Sequence, residues 1–157
     1  GKNLALAPIV CVLVLPILIT MQIVIPMRVD HFLSVPFQLM AMYFLCAMWA
    51  NTLSILAPMP IAAGSLKPAN PKGLMILLQL FFAAMLPLML SPTLMPMGVE
   101  TLLAVLGVVE GLPIGFVLML LECALVLVLY RYVLGWQGKW LEARELKILE
   151  TVTTKAE

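Results

Sequence analysis

The amino-acid sequence predicts an all-α integral membrane protein with four transmembrane helices, an outer re-entrant or interfacial helix before the last span, and a cytoplasmic C-terminal helix. Three observations predict it. The 157 residues are 64% hydrophobic and 11% charged, with a mean hydropathy of +1.13; a soluble domain carries about 25% charged residues. No charged side chain occurs from Asn3 to Met27, from His31 to Leu66, or from Gly73 to Val99, and each window exceeds the ~20 residues a spanning helix needs. Between the second and third apolar spans lies Leu56–Gly73, LAPMPIAAGSLKPANPKG, with Pro58, Pro60, Pro68 and Pro71 and two lysines. Proline donates no backbone hydrogen bond, and lipid cannot satisfy the groups it leaves open, so this stretch belongs outside the hydrocarbon.

The first span is expected over about 4–25, where ~33 Å of helix crosses the core with little tilt. Pro8 falls in its first turns, and the internal Pro16 predicts a kink. The turn Pro26–Ser34 is short and forces an antiparallel hairpin with a second span, about 35–56. Lys67, Pro68, Pro71 and Lys72 then form a stiff cytoplasmic connector, since proline fixes φ. The third span covers about 74–90 and contains Pro87. Residues 91–112 are apolar on average but broken by Pro92, Pro96, Gly98, Glu100, Gly107, Glu110 and Gly111. The helical piece 99–109 is too short to cross and reads as the outer element. The fourth span, about 113–134, ends in YRYVLGWQGKW, an aromatic belt with basic anchors. Residues 1–137 thus form the transmembrane domain and 138–157 a charged tail.

Basic residues set the orientation. With the N-terminus inside, Lys2, Lys67, Lys72, Arg131, Lys139, Arg144, Lys147 and Lys155 are cytoplasmic, against Arg28 alone outside. Positive-inside bias therefore predicts both ends of the segment in the cytoplasm. The start GKNLAL carries no initiator Met and fits no signal peptide, so a longer natural polypeptide is expected. The basic residues are dispersed without an aromatic-basic stripe, and no nucleic-acid partner is expected. Cys11, Cys46 and Cys123 lie far apart inside spans, the pattern of packing residues rather than of a disulfide or zinc framework.

Few residues offer chemistry. Glu122 is the acid in mid-span, where a carboxylate costs several kcal/mol unless paired or protonated. Arg131 is ~13 Å away along the helix, too far for a bridge. Glu122 is therefore a candidate pathway residue or an interhelix hydrogen-bonding group. Gln22 and Gln38 near the outer ends of the first hairpin, and Asn51 and Gln79 near inner ends, are expected to bond between helices. His31 beside Asp30 reads as an interfacial histidine, with no nucleophile or metal ligand patterned around it. Gly107, Gly111 and Gly115 have the spacing of a close helix contact, interrupted by Pro113. There is no GxxxxGK[ST], HExxH or GxSxG. No catalytic residue, metal or cofactor is expected, and substrate-binding residues are not legible.

Asn51–Gly73 and Tyr130–Glu157, closing in ARELKILETVTTKAE, resemble the C-terminal half of bacterial ABC-2-type transporter permeases. The resemblance implies spans three to six of a six-span unit in the bacterial cytoplasmic membrane, with short outer helices before the last span. It implies, as partners, a separate ATP-binding ATPase subunit and a second permease copy or homologue, and no catalytic residue in this chain. The competing reading is a non-transporting membrane scaffold whose tail recruits a cytosolic partner. An intramembrane enzyme using Glu122 and His31 is disfavoured by their expected depths, one at midplane and the other in the outer turn.

Overall fold

The computed structural model describes residues 2–58, 73–107 and 113–153. The described residues form helices α1 (Lys2–Val24), α2 (Val29–Leu56), α3 (Gly73–Leu90), α4 (Met95–Val105) and α5 (Ile114–Thr153), with a 3₁₀ turn at Ser91–Leu94 joining α3 to α4. Among them there is no strand. Three stretches are long and apolar enough to cross a membrane: Val29–Leu56, Gly73–Val105 and Ile114–Leu146. In α1, whose side chains are described mainly from Val12 onward, Val12–Val24 is a shorter apolar helix. The connector at positions 59–72, with Lys67, Pro68, Pro71 and Lys72, lies outside the described residues, as do Glu110 and Gly111.

The centre of the molecule is the α2–α5 pair. Ala41, Phe44, Leu45 and Met48 of α2 pack with Val126 and Tyr130 of α5 in a buried cluster. Along α5, Phe116, Met119, Cys123, Val126, Tyr130, Val133, Gln137, Trp140 and Arg144 recur at alternating steps of three and four, the seam of a coiled coil. Five of them are buried outright: Met119, Cys123, Val126, Tyr130 and Gln137. The two helices run parallel. Phe37 meets Phe116 edge-on at 6.0 Å, Phe44 meets Tyr130 at 4.8 Å, and Gln137 and Arg144 reach Met48 and Ile55 further along.

The stretch expected to break away from the third span continues it over the described residues. Pro92 deprives the Leu88 carbonyl of its helical donor, and Ser91 Oγ donates to that carbonyl at 2.7 Å. Pro96 does the same to the Pro92 carbonyl, and the Met95 N–H supplies it through the tighter 3₁₀ bond. Leu90 and Leu94 keep right-handed helical angles. The backbone therefore stays helical from Gly73 to Val105, and α4 continues α3.

The register against α2 follows from three polar contacts. Trp49 Nε1 donates to the Phe82 carbonyl at 3.0 Å, and the rings overlap at 4.4 Å. Eleven residues back along α2, Gln38 Nε2 donates to the carbonyl of Thr93, eleven residues beyond Phe82. Seven further, His31 meets Glu100, seven beyond Thr93. Eleven and seven residues are about three and two turns, so one face of each helix is used throughout. The two elements are antiparallel over ~27 Å, close to the thickness of a hydrocarbon core.

A second difference concerns the end of the chain. The sequence separates a span ending near residue 134 from a tail helix beginning at 138. The structure has one helix through both, ~60 Å long, because Gly135 and Gly138 keep helical geometry with open space around them. The end of α4 also differs from the expected glycine stripe. Gly107 takes φ +66° and stops the helix, while Gly115 lies on α5. The two glycines therefore serve different local needs.

Candidate functional site

Polar side chains gather at two levels of the molecule. At one, which we call the charged end, the α1–α2 turn, α4 and the start of α5 converge. Arg28 stands at the N-cap position of α2 without a side-chain capping bond, and it donates to Asp30 twice, from Nε to Oδ1 at 3.2 Å and from Nη2 to Oδ2 at 2.7 Å. Asp30 in the first turn also suits the positive end of the helix dipole. Glu100 arrives from α4. Its Oε1 lies 3.0 Å from His31 Nε2 and 3.7 Å from Arg28 Nη1. With Nε2 protonated, the imidazole donates to the carboxylate. Ser34 Oγ donates to the His31 carbonyl at 2.7 Å and steadies that turn.

Glu100 fits because of Gly115. A Cβ on Gly115 would run into the Glu100 carboxylate, so the glycine makes room for the acid at the α4–α5 contact. Beside the cluster is an open hollow of about 490 Å³ lined by Arg28, Val29, Asp30, Leu33, Pro113 and Phe116. Asp30, His31 and Glu100 each bring one possible ligand atom within 4.8 Å of the others. That grouping could hold a divalent cation, but the guanidinium already lies between the two carboxylates. The arrangement can join three helix ends by charge, and no serine or cysteine nucleophile takes part in it.

The other level, the amide end, lies where α5 passes the last turns of α2. Gln137 is 3% exposed. Its Nε2 donates to the Met48 carbonyl at 2.9 Å and to Thr52 Oγ1 at 2.8 Å, while Thr52 Oγ1 donates to the same carbonyl at 2.9 Å. Gln137 Oε1 is buried without a hydrogen-bond partner among the described residues. One turn pair further, Arg144 Nη1 donates to the Ile55 carbonyl at 3.2 Å, one of the C-terminal acceptors that α2 cannot satisfy itself. Its guanidinium also lies 5.8 Å from the Trp140 ring centre, and Trp136 overlaps Trp140 at 5.1 Å.

The residues singled out from sequence are dispersed over these levels. Gln22, expected to bond to another helix, instead clamps its own turn. Nε2 donates to the Met27 carbonyl at 3.0 Å and Oε1 accepts from the Met27 N–H at 3.2 Å, because the chain leaving α1 exposes those groups within reach. Gln38 bonds to Thr93 across helices. Asn51 lines a hollow with Ser54 and Gln137, and neither it nor Gln79 has an interhelix side-chain bond among the described residues. Glu122 is half-buried on α5, and its Oε2 has no hydrogen-bond partner among the described residues. It is remote in sequence from both polar levels and joins neither.

The sequence does not mark Glu100 or Gln137 as site residues. Glu100 reads as an interruption of an apolar run, and Gln137 lies inside an aromatic belt, although the alternation of three and four along α5 places it on the buried seam. No family model, curated protein or solved structure matches the chain.

Proposed function

We propose that this chain is a membrane-spanning permease unit, a C-terminal part of an ATP-driven transporter of the ABC-2 type. In this reading four helices cross the bacterial cytoplasmic membrane, α1 included, with both ends of the segment cytoplasmic. A separate ATPase subunit drives the motion, a second permease copy or homologue completes the pathway, and no residue of this chain is catalytic. The observation that supports the reading is the set of three stretches long and apolar enough to cross a membrane, Val29–Leu56, Gly73–Val105 and Ile114–Leu146, as the sequence resemblance expects of part of a permease. The short outer helix of the resemblance is not separate from α3 among the described residues.

A second observation fits a unit that works beside others. Only 6% of the most apolar stretch of Gly73–Val105 is buried within the chain, against 28% for α2 and for α5. Lipid or neighbouring subunits cover the rest.

The scaffold alternative has its own support, since α5 projects beyond Arg144 with Leu146 and Leu149 exposed. One experiment separates the two. The full-length natural protein is purified from its own membrane in mild detergent and reconstituted into liposomes. The permease reading expects a stoichiometric ATP-binding subunit whose hydrolysis is lost when α5 is truncated after Arg144. A complex without ATP hydrolysis, held through the same final turns, establishes the scaffold instead.

A further inference from the structure

The charged end brings together one nitrogen and two oxygens of metal-ligand type. Asp30 and His31 stand in the first turn of α2, and Glu100 comes from α4; one ligand atom of each lies within 4.8 Å of the others. His31 is the single histidine in the 157 residues. Its Nε2 is 3.0 Å from Glu100 Oε1. Two neighbouring ligands on one zinc ion, each about 2.0–2.1 Å from the metal, are about 3–3.4 Å apart. This pair therefore already has the spacing that an ion requires. Asp30 must come nearer, and its side-chain bonds run to Arg28. The rival occupant is that guanidinium. It stands 3.7 Å from Glu100, beyond hydrogen-bond length, and its side chain is 49% exposed. Water can replace it at small cost.

We infer that this junction is a site for a divalent ion of the zinc class, which clamps the start of α2 to α4. Asp30, His31 and Glu100 hold it, and water completes the shell. Imidazole with carboxylates is a zinc ligand set. Calcium and magnesium seek about six or more oxygens, and these three side chains do not supply them. The charge favours a cation: among the described side chains of the cluster, Arg28 offsets one of the two carboxylates, and with His31 neutral one negative charge remains. On binding, the imidazole keeps its proton on Nδ1 and turns the Nε2 lone pair to the metal, so Glu100 exchanges an N–H donor for the ion. The hollow bordered by Arg28, Asp30, Pro113 and Phe116 leaves room for the displaced guanidinium and for the bound water. Gly115 keeps the space that the Glu100 carboxylate occupies. Such a clamp serves a permease and a scaffold alike.

The full-length protein, in mild detergent and stripped with a chelator, is titrated with zinc, calcium or magnesium chloride. Calorimetry reads binding, elemental analysis reads stoichiometry, and thermal unfolding reads stability. The expected result is about one zinc ion per chain, with a thermal midpoint raised by several degrees that calcium and magnesium do not reproduce. His31→Ala and Glu100→Gln should each weaken zinc binding at least about tenfold. Arg28→Gln should tighten it about threefold, because the guanidinium competes for both carboxylates. An ion-pair junction that takes no metal would not give that sign. If His31→Ala or Glu100→Gln fails to fold, Arg28→Gln at its half-exposed position still decides. Zinc binding that survives His31→Ala overturns the inference and moves the metal to the cysteines. Weaker binding in Arg28→Gln, equal stabilisation by calcium, or no zinc-dependent stabilisation of the unmutated protein overturns it as well.

Discussion

The charged end and the amide end both fasten helices that are far apart in sequence, and they do so by opposite means. At the charged end, His31, Arg28, Asp30 and Glu100 are partly exposed and carry formal charge or take it up. Their mutual attraction is screened by water and ions. At the amide end, Gln137 is neutral and nearly inaccessible, and its two bonds go to a backbone carbonyl and a hydroxyl. The first kind of contact can be released and remade by water. The second can only be broken by separating α2 from α5. The molecule therefore has a seam that excludes water and a junction whose contacts water can replace.

Placing a lysine at each level should break the symmetry most visibly. Gln137→Lys buries an ammonium against α2 and should cost several kcal/mol, as for charges within membranes. His31→Lys keeps a cation beside Glu100 and should change stability by less than about 0.5 kcal/mol. Denaturation in mixed micelles reads both. Comparable losses would mean that the two ends do not differ in burial.

Next in size is the middle of α5. Glu122→Lys should be damaging for the same reason, whereas Glu122→Gln should insert and fold normally, since nothing among the described residues bonds its buried Oε2. Equal insertion of the two variants, measured by glycosylation-site mapping, would remove Glu122 from the membrane interior.

The charged end can be sharpened with a double-mutant cycle. Glu100→Ala and Gly115→Ala should each cost about 1 kcal/mol, and the pair little more than either alone, because a Cβ at 115 already evicts the carboxylate. The penalty should shrink as salt rises from low to molar concentration, while that of a conservative change at Gln137 should not. Additive costs would show that Gly115 serves some other contact.

The smallest effect is expected from Arg144→Gln, a few tenths of a kcal/mol up to about 1 kcal/mol. Its signature is local. Amide exchange should quicken in the last turn of α2 near Ile55 and leave the turn around Gln38 unchanged.

The elements were legible in the sequence because their causes are local. The charge-free windows 3–27, 31–66 and 73–99 predict long apolar helices, and the short Pro26–Ser34 turn predicts the hairpin. The prolines are the exception. Pro92 and Pro96 read as breaks, yet Ser91 and the Met95 N–H replace the bonds they remove, so the helix persists. Gly135 and Gly138 likewise do not interrupt α5. The site was less legible still. His31 and Glu100 are 69 positions apart, and Gln137 and Met48 are 89 apart. Nothing in either neighbourhood names the partner, and only the three-and-four spacing along α5 hints that Gln137 faces inward.

The uninterrupted course of α5 has a mechanical meaning. A helix ~60 Å long with no hinge behaves as a lever. Since its seam with α2 stays closed, tilting the α2–α5 pair by about 5° about its middle divides roughly 5 Å of travel between the two tips of α5. One tip is the first turn, where Gly115 abuts Glu100; the other is the exposed stretch past Arg144. A force applied to those final turns is thus delivered at the opposite level as a change in clearance beside Glu100, the screened contact that costs least to rearrange.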